Sequence, residues 1–274
     1  MARAIQRTRK RWIKALFGGY YGLFLLFIYG PMFAMFILSF QGPKGGTSFP
    51  MQGVSLYWWQ KLLEPSTVGD LRGALLRSLI LAVVVMVITA LFSTMLAMAF
   101  RKPFFGSGLL FYTVMTGIMV PGILLSLGLA TLLKQIGIPP AWWSTGLGVH
   151  VVWTLPFGFL VMMAVFNRFD GRLEEAARDM GASEWTVFKE VTLPLITPGI
   201  VAAGLFGFTL SYDEFARTTL LAGEHNTLPL DINASMTQRV RPTLFALGTA
   251  STLVSLLMIG LFLGIYTLLY RRTR

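Results

Sequence analysis

The sequence predicts an all-α polytopic membrane protein: six transmembrane helices, both termini in the cytoplasm, and one transmembrane domain over residues 1–274. Three observations carry this. Hydrophobic residues make up 55% of the chain and charged residues 13%, where an ordinary soluble domain has about 25% charged. The apolar residues gather into six blocks of roughly 20, the length a helix needs to cross a bilayer. The blocks read as spans at about 17–40, 75–100, 108–133, 145–166, 199–222 and 245–270. The third observation is how the charges are sorted between them.

With the N-terminus inside, the cytoplasmic segments hold Arg3, Arg7, Arg9, Lys10, Arg11, Lys14, Arg101, Lys102, Arg168, Arg172, Arg178, Lys189, Arg271, Arg272 and Arg274, which is 15 of the 23 Lys and Arg. The outer segments hold 6: Lys44, Lys61, Arg72, Lys134, Arg239 and Arg241. This is the positive-inside bias. The net charge of +11 is thereby explained as a topology signal, and no nucleic-acid partner is implied. The absence of cysteine excludes disulfides, thiol chemistry and Cys-based metal sites. The first apolar run is too long for a signal peptide and lacks a small-x-small cleavage site, so it reads as a retained span.

The segment after span one begins QGPKGGTSFP, a turn region. It continues with Leu56, Trp59, Leu62 and Leu63 at helical spacing, a short helix on the outer surface with Trp58 and Trp59 suited to the membrane interface. Span two ends at Arg101 and Lys102. Span three carries Pro121 and Gly122 at mid-depth, either a kink or tight packing through small residues. Span four holds His150, Trp153 and Pro156; a lone His near a span end is more often structural than a ligand. No internal repeat is visible, so the inverted-repeat signature of many secondary transporters is missing.

The stretch LEEAARDMGASEWTVFKEVTLP at 173–194 is polar, yet its apolar residues keep helical time. Leu173, Ala176, Ala177 and Met180 fall at i, i+3, i+4 and i+7, one face of a helix. Arg172, Glu174, Glu175, Arg178 and Asp179 take the other face. Gly181 suits a left-handed C-terminal cap. Ser183 caps a second helix with Glu184 in its first turn, and Trp185, Phe188 and Val191 form its apolar side. Pro194 and Pro198 are expected to end it before span five. The apolar face must bury against either the protein's own bundle or a soluble protein docking from the cytoplasm.

Glu175-Ala176-Ala177, Gly181 six residues after Glu175, and V-x-L-P at 191–194 resemble the EAA loop of ABC importer permeases, E-A-A-x3-G-x9-I-x-L-P, with Val191 in place of the usual Ile. The resemblance implies a type I ABC importer permease-like fold with the first span at the periphery. It implies that the loop at about 167–198 is the coupling helix, which docks on a separate ATPase subunit and passes its motion to the spans. Glu175, Ala176, Ala177, Gly181, Ser183 and Trp185 are then the ATPase-coupling residues: a docking charge, a slim helix, a tight turn, a cap and an apolar contact. No G-x-x-x-x-G-K-[ST] loop occurs in the chain. The chain has nothing to cradle ATP phosphates, and the resemblance implies that it binds no cofactor and is not an enzyme, with ATP and Mg on the partner. The implied partners are an ATPase dimer, a second homologous permease (heterodimer favoured over homodimer), a periplasmic or extracellular substrate-binding protein and membrane lipid. The implied location is the bacterial inner membrane, crossed several times.

FTLSYDEFARTT in span five places Asp213 and Glu214 side by side in an apolar stretch. A charge at membrane depth costs at least ~2.5 kcal/mol, so it marks a pathway or a paired site. Counting from Gly199 puts Asp213 roughly 21 Å from the inner face. Arg217 lies i+4 from Asp213 and i+3 from Glu214, so an internal ion pair is the competing reading. The segment resembles the S-x-D-[DE]-F stretch of the spermidine/putrescine branch of the family, as HNTLPLDIN at 225–233 and VRPTLFALGTAS at 240–251 do. That branch implies a substrate pathway through Tyr212, Asp213 and Glu214, with carboxylates for an ammonium cargo and Tyr212 as a cation–π face. Gly122 departs from the acidic residue that polyamine permeases often carry after the span-three proline. The alternatives are the same importer for an opine, an aminophosphonate or another anion contacted by Arg217, and a stand-alone secondary transporter. A membrane enzyme would need a polar catalytic cluster, and Asp213 and Glu214 read as the only buried acids.

Overall fold

The computed structural model describes residues 2–64, 70–238 and 242–272. Of the charges used to orient the spans, Arg239, Arg241 and Arg274 lie outside these residues. The described elements are helical, joined by loops and a single antiparallel bridge between Gln41 and Val54. Among the described residues five helices are long and apolar enough to cross a membrane, and a bent pair would make a sixth span. The chain divides into two compact units.

The first unit comprises residues 1–65 and 235–253. Its helix α1 (Ala2–Leu38) is apolar from Ala15 onward and mostly exposed between Trp12 and Ile37, with Phe27 at 81% and Leu38 buried. The loop after it is held by the buried Gln41, whose Oε1 accepts from the Gln52 N–H at 2.8 Å and whose Nε2 donates to the Gly46 carbonyl at 3.2 Å. Short helix α2 (Tyr57–Leu63) forms where the Leu56–Leu63 periodicity predicts one. Its Trp59 ring lies 5.8 Å from Phe40.

The second unit comprises residues 66–234 and 254–274. Helix α3 (Leu71–Ala99) starts where Asp70 Oδ1 accepts from the Gly73 N–H at 2.9 Å, an N-terminal cap. Helix α6 (Leu147–Phe166), entered through a π turn at Trp142–Gly146, and helix α9 (Leu193–Tyr212) pack against α3 and each other. Small residues permit the approach. A Cβ on Gly158 would lie 2.8 Å from Thr89 Cγ2, and one on Gly207 would lie 2.9 Å from Thr89 Cβ. Polar groups join the helices there: Thr89 and Thr154 hydroxyls share a bond of 2.6 Å. In an apolar surround each such group must find a partner. An apolar core of Ala97, Phe159, Met162, Ile196 and Ala203 surrounds the basic end of the trio.

Two expectations are corrected here. The predicted third span is not one helix. Helix α4 (Ser107–Met119) and helix α5 (Gly122–Gln135) meet at 103°. Pro121 lacks an N–H and pushes Val120 out of the helical region, to φ −75° and ψ 123°. Nor do Pro194 and Pro198 end the loop's second helix. Helix α8 (Glu184–Val187) runs through a π turn at Phe188–Thr192 into α9, giving one span over Glu184–Tyr212. Pro194 sits in the first turn of α9, where its missing N–H costs little, and the π turn absorbs the rest.

Candidate functional site

Two polar regions stand at opposite ends of the span Glu184–Tyr212. At its beginning lies helix α7 (Arg172–Asp179). Gly181 follows with φ +86°, the left-handed conformation expected of it. Ser183 Oγ then accepts from the Thr186 N–H at 3.2 Å and caps α8, also as expected. Arg178 grips Glu184 across the turn, Nε to Oε1 at 2.6 Å and Nη2 to Oε2 at 3.0 Å.

The faces of α7 do not divide as the periodicity predicts. Glu174, placed on the polar face, turns inward with Ala177 and is 7% exposed. Arg101, at the end of α3, donates from Nη1 to Glu174 Oε1 at 2.9 Å and from Nη2 to Oε2 at 2.6 Å. Thr192 Oγ1 also donates to Glu174 Oε1, at 2.6 Å. The Arg101 guanidinium lies about 5 Å from the ring centres of Phe166 and Phe169. These donors hold the Glu174 carboxyl below its ordinary value, Arg101 first, against the opposing effect of burial. Leu173, Met180 and Trp185 stay 48%, 83% and 69% exposed, and Glu175 and Ala176 are exposed beside them. So the apolar face points away from the protein's own bundle while Glu174, Ala177 and Val187 anchor the loop to it.

At the far end, α9 stops at Tyr212, and Asp213 and Glu214 lie in the following turns rather than inside the helix. The two carboxylates part company. Glu214 is 7% exposed, and its Oε1 accepts from the Arg217 N–H at 2.8 Å while its Oε2 accepts from Arg217 Nη1 at 3.2 Å. Asp213 is exposed. Tyr212 is buried, its ring stacked on Phe208 at 5.9 Å. His150 bridges the turn from α6, Nδ1 to Ser211 Oγ and Nε2 to Thr218 Oγ1, each at 2.7 Å. This is the satisfied structural histidine that its position suggests. Ser126 Oγ accepts from the Leu220 N–H at 3.1 Å, and Thr145 Oγ1 donates to the Leu221 carbonyl at 2.8 Å. Side chains thus supply the partners that helix geometry supplies elsewhere.

The expectation that Asp213 and Glu214 are the only buried acids is also corrected. Glu174 is buried, as is Asp231 on helix α10 (Leu228–Gln238), which is 5% exposed. Burial pushes the Asp231 carboxyl above its ordinary value, opposed by a hydrogen bond from Asn226 and the charge of Arg77. Arg77 Nε in turn donates to the Asn226 carbonyl at 2.8 Å. Nothing local flagged Glu174, because its partners Arg101 and Thr192 lie on other elements. Among the described residues no group of three His, Cys, Asp or Glu could hold a metal ion.

Residues 90–274 match the family described as the inner membrane component of binding-protein-dependent transport systems. The spermidine/putrescine transport system permease protein PotC of Escherichia coli (strain K12) is 31% identical over 252 residues, covering 90% of this chain and 92% of that one. The putrescine transport system permease protein PotI of the same strain is 29% identical over 233 residues, covering 81% and 80%. In fold, the chain is similar to a solved bacterial alginate ABC transporter in complex with an alginate pentasaccharide-bound periplasmic protein. The TM-score is 0.65 at 15% identity, over 93% of each chain.

Proposed function

We propose, from the premise that this chain belongs to the family of inner-membrane components of binding-protein-dependent transport systems, that it carries polyamines or a related amine-bearing solute inward. It is a multi-pass membrane protein and a permease subunit of an ABC importer, not an enzyme. Work must then be delivered from outside the chain, which has no loop to cradle ATP phosphates. In this reading ATP and Mg act on a separate ATPase dimer. A second homologous permease, favoured as a different chain, completes the membrane part. A substrate-binding protein delivers cargo at the end carrying Asp213. The membrane is the bacterial inner membrane, with both termini and α7 in the cytoplasm.

One observation carries the proposal: the apolar face of Leu173, Met180 and Trp185 is held out of the protein's own core by Glu174 pointing in. An apolar patch kept exposed on a charged loop marks a protein docking surface. Glu175, Ala176, Gly181 and Ser183 surround it. There the ATPase can push on α8, and α8 is continuous with the span that ends at Tyr212.

Asp213 is the residue assigned to cargo. It is the exposed acid at the end of that span, and an acid at membrane depth marks a pathway. Glu214 is engaged by Arg217, and Tyr212 by Phe208, so neither offers a free group in this arrangement. The names of PotC and PotI, for spermidine and putrescine, support an amine. The test is ATP hydrolysis by the assembled complex in lipid, with the binding protein presenting spermidine, putrescine or unrelated solutes. Stimulation by a polyamine, lowered about tenfold in Asp213→Asn, is the expected result, since a removed contact of ~1.4 kcal/mol is a factor of ten. Stimulation only by an opine or an anion would overturn the cargo and leave the architecture standing.

A further inference from the structure

One side chain joins the broken span to the turn after α9. Arg217 is 7% exposed and bound to Glu214 through both its backbone N–H and Nη1. Its guanidinium carbon lies 3.6 Å from the centre of the Trp153 ring on α6. Its Nη2 donates to the Val120 carbonyl at 3.4 Å, at the break between α4 and α5. Gly122 makes room for this reach: a Cβ there would stand 2.9 Å from Arg217 Cγ and 3.1 Å from Nη1. An arginine needed only to neutralise Glu214 would require none of these contacts. Here Glu214 fixes the base of the fork and Trp153 its plane. The remaining end meets a carbonyl next to Pro121, where the helical ladder is interrupted.

We infer that Arg217 is a positioning residue for the transport cycle, tying the α4–α5 break to the end of α9 so that the break follows α9 when the coupling loop moves it. The inference rests on the transport reading above. The span Glu184–Tyr212 is continuous through its π turn and Pro198, so a displacement at Glu184 is passed along it to Tyr212. Only the turn from Asp213 to Arg217 separates that span from the guanidinium. Without the guanidinium the Val120 carbonyl loses a donor, and Pro121 is left as a free hinge.

The chain has no cysteine, so two introduced ones are its only labelling sites. Spin labels at Leu127→Cys on α5 and Phe206→Cys on α9, both exposed, report the distance across the joint. The measurement uses the full complex in lipid, nucleotide-free and trapped with ATP and vanadate. With Arg217 intact, one narrow distance of equal width is expected in both states. In Arg217→Lys, which keeps the charge but loses the fork, and in Arg217→Met, the distribution should widen at least ~2-fold. Uptake per ATP hydrolysed should fall at least ~5-fold in both, as expected when a coupling contact of ~1 kcal/mol is lost. The exchange Glu214→Arg with Arg217→Glu restores an ion pair but sets an acceptor against the Val120 carbonyl, so uptake should stay low. Unchanged widths and coupling in the Lys and Met variants would overturn the inference, and so would full rescue by the exchange. The distances are read without cargo. A wrong cargo therefore appears as absent stimulation with native widths, and a wrong strut as unchanged widths with stimulation intact.

Discussion

The two ends of the span Glu184–Tyr212 are both fixed by an Arg–Glu pair, and the pairs differ in what they reach and what they leave open. At the loop end Arg101 and Glu174 come from elements 73 residues apart, and Arg101 remains 28% exposed at its side chain. At the other end Glu214 and Arg217 lie one turn apart, at 7% and 8% exposure. The long-range pair clamps a loop onto the bundle and leaves an apolar face free beside it. The local pair sits inside a network with His150, Trp153 and Val120 and leaves a single free acid, Asp213. In the proposed reading the loop accepts a push, which calls for a firm base and an open face, and the turn passes motion onward, which calls for its neighbours to be tied in. The same residue types serve both, and what distinguishes them is the number of further elements each pair touches.

Removing each pair in turn separates their contributions. Glu214→Ala should cost the most, about 3–5 kcal/mol, because it strands Arg217 at a buried site. Glu174→Ala should cost less, about 2–3 kcal/mol, since Arg101 can turn toward solvent. Denaturant unfolding in micelles measures both. Equal costs would show that burial does not separate the pairs.

Acid sharpens the same contrast. The folded-state value of Glu174 is depressed by Arg101, so its contribution is complete above the ordinary carboxylate range and fades as pH falls through the depressed value. Hydrogen exchange over α7 should rise in that acid window. In Arg101→Met the rise should begin at a higher pH. Ser183→Ala, which removes the cap of α8 and touches neither pair, should cost only about 1 kcal/mol, visible as faster exchange at Thr186.

Much of this was legible in the residues, and the reasons are specific. Among the described residues five of the six apolar blocks hold a single long helix, because apolar length is a local property, but the fifth runs over Glu184–Tyr212 and not over 199–222, since the turn at Asp213 is set by distant partners. Gly181 and Ser183 were readable because a left-handed turn and an N-terminal cap each have a short list of residues that satisfy them. The loop motif was readable because its spacing is strict. What stayed hidden depends on distant partners. Periodicity put Glu174 on the outer face, and only Arg101 and Thr192 turn it inward. Pro121 and Gly122 left a kink and tight packing both open, and the 103° break is met by a donor from another element, Arg217, which gives a hydrogen bond to the Val120 carbonyl. Adjacent acids at 213 and 214 look alike in sequence, and it is the end of the helix at Tyr212 that separates them.

In the proposed reading the exposed apolar face beside Gly181 receives the ATPase and the Asp213 turn does not. A photo-crosslinking residue placed at Trp185 and, in a second variant, at Asp213 tests this directly in the co-expressed complex of permeases, ATPase and binding protein. The prediction is a crosslink to the ATPase from position 185 and none to it from position 213. An ATPase crosslink from 213, or none from 185 in a complex that contains the ATPase, would show that this face is not the docking surface.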